Sequence, residues 1–289
     1  MSNESILTYD SKIKKFFHDN KESLNLFYPG ISLQRIENDF QIFCEGNLSR
    51  KEEHVDNFLI QLNDGKPLEY VTGKAFFYES EFFVNNSVLI PRSETEILVE
   101  TVVKELKESN KDFMSIVDVG TGSGAILLSI CRALDNKPSL VACGIDISEC
   151  ALKVAKRNEY LLKYSLPKHH TISWSLGDRL VDTATDSVDC IVSNPPYIKF
   201  HQDKVKVHRQ VDSYEPHVAL YLDDDSYEEW FDNFFKQVHD CLKNDGLFMM
   251  EGHEDHLEDQ VEVLKKLNFK EVELIKDYTD RKRFIKARK

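Results

Sequence analysis

The first 73 residues carry apolar positions at the three- and four-residue spacing of amphipathic helices. Ile36, Phe40 and Phe43 illustrate the spacing, with polar residues between them. The pattern predicts several short helices, at about Ile6–Phe17, Leu33–Phe43 and Lys51–Leu62. The first part of the chain is therefore predicted to be helical.

The spacing changes between Ala75 and Ile90, where aromatic and β-branched residues run in two short stretches. Glu79-Ser80 separates the two stretches, and Asn85-Asn86 supplies a second turn signal. We predict a β-hairpin here that links the helical part to a second domain.

Beyond Pro91 the pattern alternates between buried strands and amphipathic helices. Ser93 followed by Glu96 fits a capping box, which predicts a helix from there to about Lys107. Strands are predicted at Ser115–Val119, Leu140–Ile147, Thr171–Leu176, Val188–Ser193, Leu247–Glu251, Lys270–Ile275 and Arg283–Ala287. Helices are predicted between them, notably at Ala125–Leu134, Glu149–Tyr164, Tyr227–Leu242 and Leu257–Leu267. The alternation predicts an α/β fold with a mostly parallel sheet that binds ligands at the carboxyl ends of its strands.

Composition narrows the class of protein. The 289-residue chain has a formal net charge of −13 at pH 7. This charge argues against extended nucleic-acid binding, which draws on Lys and Arg contacts to phosphates. No apolar stretch approaches the length of a membrane span, and the polar start is unlike a signal peptide. The six cysteines form no CxxC pair, which suits a reducing compartment, so we expect a cytoplasmic protein.

A glycine-rich turn follows the first predicted strand of the α/β part and opens a helix. It comprises Gly120, Thr121, Gly122, Ser123 and Gly124. Glycines let the backbone approach a ligand closely, and the helix N-terminus offers free N–H groups. The spacing differs from the GxGxxG of dinucleotide enzymes and suits S-adenosylmethionine better, because the amino-acid end of that cofactor needs no pyrophosphate cradle. A tight turn without a ligand is the alternative.

Two acidic residues extend the predicted cofactor site. Asp146 ends the next strand, where its carboxylate can accept hydrogen bonds from both ribose hydroxyls; it could also be a helix cap, a role that Ser148 fills equally well. Asp178 ends the third strand, where it could meet the adenine amino group, although Gly177-Asp178 is also an ordinary turn.

The fourth strand ends in Asn194-Pro195-Pro196-Tyr197. In such a sheet this strand lies beside the first, so Asn194 would face the methyl donor. The Asn194 side-chain oxygen and the Pro195 carbonyl can accept both N–H bonds of a primary amide or exocyclic amine, and Tyr197 can pack on the planar group. The sequence therefore predicts a methyltransferase that acts on a planar nitrogen. A plain strand-end turn is the alternative.

No metal site is predicted. Gly252-His-Glu-Asp-His256 resembles the zinc motif HExxH only superficially, because its second histidine comes one residue early.

The chain resembles the peptide chain release factor glutamine methyltransferases, the PrmC/HemK family, from about Gly46 onward. The most specific matches are Pro67–Gly73, Phe76–Tyr78, Phe83-Val84, Val88–Glu96 and Asn194–Tyr197. Arg179 departs from the family, which often has an aromatic residue there. The resemblance implies a helical substrate-docking domain at 1–73, a β-hairpin linker at 74–91 and a seven-stranded, Rossmann-like S-adenosylmethionine-dependent methyltransferase domain at 92–289.

The resemblance also implies the reaction. A methyl group would pass from S-adenosylmethionine to the side-chain nitrogen (N5) of the glutamine in the Gly-Gly-Gln motif of class I peptide chain release factors, which tunes translation termination. Residues 120–124 and Asp146 would bind the donor, and residues 194–197 the glutamine. The main rival is an adenine-N6 or guanine-N2 nucleic-acid methyltransferase, which uses a similar site on a flipped base. A donor-binding protein without activity and a nicotinamide dehydrogenase are less favoured.

Overall fold

The computed structural model describes residues 8–45, 51–136 and 138–289. The chain divides into two compact units. The first comprises residues up to Lys74 together with a later segment, His208–Tyr214. The second comprises Ala75–Val207 and Glu215–Lys289. None of the helices in these described ranges is long and apolar enough to cross a membrane.

The α-helices of the described residues are α1 (Tyr9–Phe27), α2 (Leu33–Phe43), α3 (Lys51–Asn63), α4 (Leu68–Thr72), α5 (Glu96–Lys107), α6 (Ala125–Ala133), α7 (Glu149–Leu162), α8 (Arg209–Tyr214), α9 (His217–Leu220), α10 (Tyr227–Cys241) and α11 (Leu257–Lys266). The strands are β1 (Lys74–Phe77), β2 (Ser80–Phe83), β3 (Phe113–Val119), β4 (Ser139–Asp146), β5 (Thr171–Leu176), β6 (Val188–Ser193), β7 (Ile198–Lys199), β8 (Tyr221–Leu222), β9 (Leu242–Glu251), β10 (Lys270–Lys276) and β11 (Lys282–Arg288). Short 3₁₀ turns lie at Ser93–Thr95, Lys204–Lys206 and Asp224–Ser226.

The first unit is built from α1 to α4 and α8. Ser32 begins α2, because its hydroxyl accepts a hydrogen bond from the backbone N–H of Arg35. The apolar faces of α2 and α3 meet in a buried core, where the rings of Phe40 and Phe58 have centroids 5.2 Å apart. The α8 segment joins this unit through the Tyr214 hydroxyl, which donates to the Asp64 carbonyl at 2.6 Å.

The second unit is organised around a seven-stranded sheet with the strand order β10-β11-β9-β6-β3-β4-β5. Strands β5, β4, β3, β6 and β9 run parallel, whereas β11 is antiparallel to both of its neighbours. The strand order reverses between β3 and β6, which creates the crevice where open α/β sheets bind ligands. The predicted seven-stranded, Rossmann-like α/β fold is confirmed.

Alternate residues of the central strands enter two separate apolar cores. In β6, Cys190 and Val192 lie in one core, and Ile191 lies in the other. Helices α5 and α6 supply the first core, and α10 and α11 supply the second. The central strands are therefore buried on both faces, which explains why they read as continuous apolar runs.

The predicted hairpin is present as β1 and β2. Its two-residue turn consists of Tyr78 and Glu79, whose φ angles of +42° and +59° match the left-handed turn that suits a twisted hairpin. Asn158 on α7 then fixes the second strand, because its side chain accepts a hydrogen bond from the Phe83 N–H and donates one to the Phe83 carbonyl. The same amide also donates to the Ser123 carbonyl at 2.9 Å, which ties the hairpin to the glycine turn.

Two local predictions need correction. The capping box at Ser93 is wrong, since a 3₁₀ turn precedes α5 and the Glu96 carboxylate instead accepts the backbone N–H of Tyr78. In the described residues the first helix begins at Tyr9, and residues 6–7 of the predicted helix lie outside them. Its hydrogen-bonded turns continue to Phe27, beyond the predicted end at Phe17.

Candidate active site

A cavity of about 240 Å³ lies at the carboxyl ends of the central strands of the second unit. Residues that follow β3, β4, β5 and β6 all contribute to its wall, as expected at the point where the strand order reverses. The predicted site residues that line it are Gly120, Thr121, Gly122, Ser123, Asp146, Asp178, Asn194, Pro195 and Pro196. Of the predicted set, Gly124 and Tyr197 do not line it.

The glycine turn after β3 needs backbone conformations that other residues rarely adopt. Gly120, Gly122 and Gly124 have φ angles of +70°, +54° and +78°. The Gly120 N–H donates to the Ile145 carbonyl at 2.8 Å, which anchors the turn to the end of β4. A Cβ at Gly124 would lie 2.8 Å from the Trp174 ring, whereas one at Gly120 would meet nothing nearer than 3.9 Å. Close packing against Trp174 therefore explains why residue 124 is a glycine. Gly120 instead borders open space that a ligand can occupy.

Asp146 ends β4 and connects the glycine turn to the next helix. One carboxylate oxygen accepts the Gly122 N–H at 2.8 Å, and the other accepts the Ser148 N–H at 2.8 Å. Ser148, rather than Asp146, caps α7, because its hydroxyl accepts the Ala151 N–H. Burial raises the pKa of Asp146, while these backbone hydrogen bonds oppose the shift. Each carboxylate oxygen accepts one backbone bond and retains capacity for a ligand hydroxyl.

Asp118 lies beneath the glycine turn and was not singled out from the sequence. It is fully buried, and burial raises its pKa to about 7, with a further increase from the charge of Asp146. The Thr121 hydroxyl donates to it at 2.6 Å, which partly opposes the shift. The sequence does contain a signal for this residue, since Asp118 is an acidic residue near the end of an apolar strand, two positions before the first glycine of the turn.

Asp178 is held by its sequence neighbour. The Arg179 guanidinium forms two hydrogen bonds of 2.9 Å with the Asp178 carboxylate. Arg179 also lies over the Trp230 ring, 5.1 Å from its centroid, and both side chains belong to residues that line the cavity. This part of the wall therefore presents a planar cation and an indole beside the carboxylate.

The side chain of Asn194 is oriented by two partners. Its amide nitrogen donates to Glu251 at 3.1 Å and to the Thr95 hydroxyl oxygen at 3.3 Å. Thr95 in turn donates its hydroxyl proton to Glu251 at 2.5 Å. Glu251 and Thr95 therefore lie on the same side of the amide nitrogen, and the Asn194 side-chain oxygen, which points away from them, is left to accept hydrogen bonds.

Glu251 also fixes Tyr197. The Tyr197 hydroxyl donates to the second carboxylate oxygen of Glu251 at 3.0 Å, so one buried carboxylate receives three side-chain donors. Burial raises the pKa of Glu251, and the hydrogen bonds from Thr95 and Tyr197 oppose the shift. Burial also raises the pKa of Tyr197, with the Glu251 charge adding to it, so the phenol stays protonated as a donor.

The register of the sheet explains why Asn194 and Glu251 meet. Ser193 on β6 pairs with Met250 on β9, so the next residue of each parallel strand stands at the same edge. From the sequence alone, Glu251 and Thr95 belong to stretches that resemble the family, but no role in the site was predicted for either residue. Glu251 carried a usable signal, since it ends an apolar strand as a lone acidic residue.

A second buried carboxylate shapes the loop that precedes α5. Glu215 accepts the Ile90 N–H at 3.1 Å and a hydrogen bond from Arg92 at 2.6 Å. Arg92 and Pro216 both line the cavity. Glu215 therefore joins two distant stretches of chain in the same wall, a contact that the sequence pattern does not indicate.

Comparison with known proteins gives a consistent set of relatives. Residues 92–213 match the Methyltransferase small domain family. A release factor glutamine methyltransferase from Flavobacterium psychrophilum is 35% identical over 235 residues, which cover 80% of this chain and 79% of that protein. Another from Enterococcus faecalis is 36% identical over 202 residues, covering 70% and 68%. The solved structure of a Pyrococcus furiosus methyltransferase is 16% identical, with a TM-score of 0.48 over 72% of this chain and 87% of that one.

Proposed function

The chain belongs to the release factor glutamine methyltransferase family, and from that premise we propose that it methylates the side-chain nitrogen (N5) of the glutamine in the Gly-Gly-Gln motif of class I peptide chain release factors. The observation that carries the proposal is the orientation of Asn194, whose amide nitrogen is occupied by Glu251 and Thr95. The site thereby offers an acceptor, rather than a donor, to the group being methylated.

The residues around the cavity fit S-adenosylmethionine. Gly120 leaves room for a ligand to approach the backbone, and the Asp146 carboxylate retains acceptor capacity for the two ribose hydroxyls. Arg179 and Trp230 offer planar surfaces against which an adenine ring can stack. When bound, S-adenosylmethionine supplies an electrophilic methyl group on a sulfonium sulfur.

Asn194 and Pro195 orient the amide nitrogen that is to be methylated. An amide nitrogen is a weak nucleophile, because its lone pair is delocalised into the carbonyl group. The Asn194 side-chain oxygen and the Pro195 carbonyl accept the two N–H bonds of the glutamine amide, which aims its nitrogen at the methyl group. As the new N–C bond forms, positive charge develops on the nitrogen and strengthens both hydrogen bonds, so the transition state is stabilised more than the ground state. With the donor bound, the electrons of its S–C bond would remain on sulfur as a neutral thioether, and the methylated nitrogen would release one proton to solvent.

The experiment that tests the function is mass spectrometry of a purified class I release factor incubated with this protein and S-adenosylmethionine. The expected product carries one added methyl group on the glutamine of Gly-Gly-Gln, and the same factor with that glutamine changed to alanine should gain none. In a parallel experiment, duplex DNA and structured RNA replace the release factor as possible methyl acceptors. Methyl incorporation into nucleic acid without modification of the factor would overturn the proposal in favour of a base methyltransferase.

We further propose a division of labour along the chain, with residues 1–73 docking the release factor, 74–91 linking, and 92–289 performing the reaction. The acceptor glutamine belongs to a large protein, and two hydrogen bonds to its amide supply little binding energy. Interactions with remote surfaces of the factor would therefore contribute to positioning. The membership of His208–Tyr214 in the helical unit supports a docking surface that includes more than the first 73 residues.

A further inference from the structure

Asp203, His253 and His256 form a compact group in the second unit, outside the cavity described above. Each offers one ligating atom, and these atoms all lie within 4.8 Å of one another. Asp203 is buried, with 2% of its surface exposed, and the two histidines are half-buried. Among the described residues, this group brings nitrogen and oxygen atoms close enough together that they could hold a single metal ion.

Two structured segments present these side chains. Asp203 precedes the 3₁₀ turn, where its carbonyl accepts the Lys206 N–H at 2.9 Å. His253 follows β9, and its carbonyl accepts the backbone N–H groups of His256 and Leu257 as α11 begins. The His256 Nε2 atom already lies 3.1 Å from Asp203 Oδ2. The three side chains are therefore brought together by folded backbone rather than by a flexible loop.

We propose that Asp203, His253 and His256 bind a divalent transition-metal ion, with zinc as the favoured occupant. Two imidazoles and one carboxylate are a recurrent donor set for zinc, and imidazole donors disfavour magnesium and calcium, which prefer oxygen. The spacing of the two histidines does not match HExxH, but Asp203 supplies a third ligand from a distant part of the chain. Water can complete the coordination.

Neighbouring charges support the site. His253 Nδ1 accepts the Asp255 backbone N–H at 3.2 Å, which holds the ring in place, and Asp255 Oδ2 adds a negative charge 3.8 Å from the same nitrogen. The Lys206 ammonium lies 3.3 Å from Asp203 and 3.1 Å from Asp255. Its side chain is 59% exposed, so it can move into solvent when a metal ion replaces its positive charge. Lys206 is therefore a competitor for the site.

The two histidines of the proposed metal site lie close to Tyr197 and Tyr227, so a bound ion would affect the segment that follows Asn194. The His253 ring lies 6.4 Å, centroid to centroid, from the ring of Tyr197, and the His256 ring lies 5.0 Å from that of Tyr227. The Tyr227 hydroxyl donates to the Tyr197 carbonyl at 3.1 Å. A metal ion would therefore fasten the segment that follows Asn194–Tyr197 to the start of α11.

The test uses the full chain, stripped of metal with a chelator and titrated with Zn²⁺ by calorimetry in the presence of a competing chelator. We expect each chain to bind one zinc ion. His253→Ala and His256→Ala should each weaken the affinity for zinc by at least about tenfold. Even residues that only hydrogen-bond to a metal ligand cause a loss of that size when they are replaced. Lys206→Gln should bind zinc more tightly than the unaltered chain, which no unrelated surface site would show.

His169→Ala serves as the matched control, because His169 is exposed and outside the group. It should leave zinc affinity unchanged. Thermal melts with and without Zn²⁺ check that each variant folds, and the visible spectrum of bound Co²⁺ reports ligand type independently of methyl transfer. Failure of the folded chain to retain zinc, or zinc binding that is insensitive to His253 and His256, would overturn the proposal. Neither result bears on the methylation of release factors.

Discussion

Glu251 accepts a hydrogen bond from the side-chain nitrogen of Asn194 at 3.1 Å, and this contact determines which end of the amide is free to accept. Both oxygens of Glu251 already accept hydrogen bonds from Thr95 and Tyr197, so rotating the Asn194 amide by half a turn would place its oxygen against an oxygen that acts as an acceptor. Thr95 reinforces the preference, because its own proton already goes to Glu251. The orientation of Asn194 therefore depends on a residue 57 positions away in sequence.

The first prediction concerns this orienting contact. In Glu251→Gln the new amide can donate to Asn194, which removes the reason for a single orientation. We expect kcat to fall by about tenfold or more, since roughly 1.4 kcal/mol of transition-state stabilisation corresponds to that factor. Affinity for S-adenosylmethionine should change little. Single-turnover rates and calorimetry measure the two quantities separately.

Thr95 offers a matched pair of controls for the same network. Thr95→Ser keeps the hydroxyl and should retain most of the rate, whereas Thr95→Val removes it while preserving shape and should slow turnover. Equal rates in the two variants, or a Glu251→Gln enzyme with normal turnover, would show that the network does not orient the acceptor.

The second prediction concerns Asn194 itself. Asn194→Ala removes the side-chain acceptor and should lower methyl transfer by orders of magnitude, because both acceptors must act on one nitrogen. Donor binding should persist, since Asp146 and the glycine turn are unaltered. Near-normal single-turnover rates in this variant would contradict the proposed mechanism.

The third prediction separates ribose binding from helix capping. Asp146→Ala should weaken S-adenosylmethionine binding by about 1.5–3 kcal/mol, the range for a hydrogen bond to a charged group. Turnover at saturating donor should change much less. Calorimetric titration with the donor measures the loss.

Ser148→Ala is the control for that experiment, because Ser148 caps α7 without offering a carboxylate. It should lower thermal stability slightly and leave donor affinity almost unchanged. A similar loss of affinity in both variants would mean that Asp146 acts through the backbone of the turn rather than through the ribose.

The order of the elements could be read from the sequence because their apolar spacing is strong. The strands Thr171–Leu176 and Val188–Ser193 were predicted with the bounds that the structure has. Each is bounded by turn residues, and the second is also ended by two prolines. Local signals of this kind need no knowledge of the partner strand.

The long-range contacts that hold the site residues in place could not be predicted from the sequence in the same way. Asn194 and Glu251 meet only because β6 and β9 are neighbours with Ser193 opposite Met250. Glu215 reaches Arg92 and Ile90 across more than a hundred residues. Such contacts depend on strand order and loop packing, which hydrophobic periodicity does not encode.

The fourth prediction follows from the buried carboxyl of Asp118. Its pKa is raised to about 7 in the folded state, above its ordinary value of 3.8, so the folded protein holds a proton that the unfolded chain releases. The resulting stabilisation is fully present below about pH 4 and is lost as pH rises through about 7, with a slope of at most about 1.4 kcal/mol per pH unit. Asp118→Asn should remove this slope.

Urea unfolding at a series of pH values measures the difference in unfolding free energy between Asp118→Asn and the unaltered chain. The variant should gain stability relative to the unaltered chain as pH increases from about 4 to 7. A difference that stays constant with pH would show that the carboxyl is already ionised in the folded state.

The fifth prediction tests whether the helical unit docks the substrate. Deleting residues 1–73 also removes the partners of α8, since Tyr214 and Gln210 donate to the carbonyls of Asp64 and Gly65. A deletion should therefore be compared with the full chain on two substrates, an intact release factor and a short peptide that contains Gly-Gly-Gln. Because remote binding energy acts only on the intact factor, the full chain should prefer that factor by orders of magnitude in kcat/KM. The truncated chain should lose this preference while keeping its weak activity on the peptide and its affinity for S-adenosylmethionine. If it loses activity on both substrates in equal proportion, the helical unit serves the folding of the catalytic unit rather than recognition of the factor.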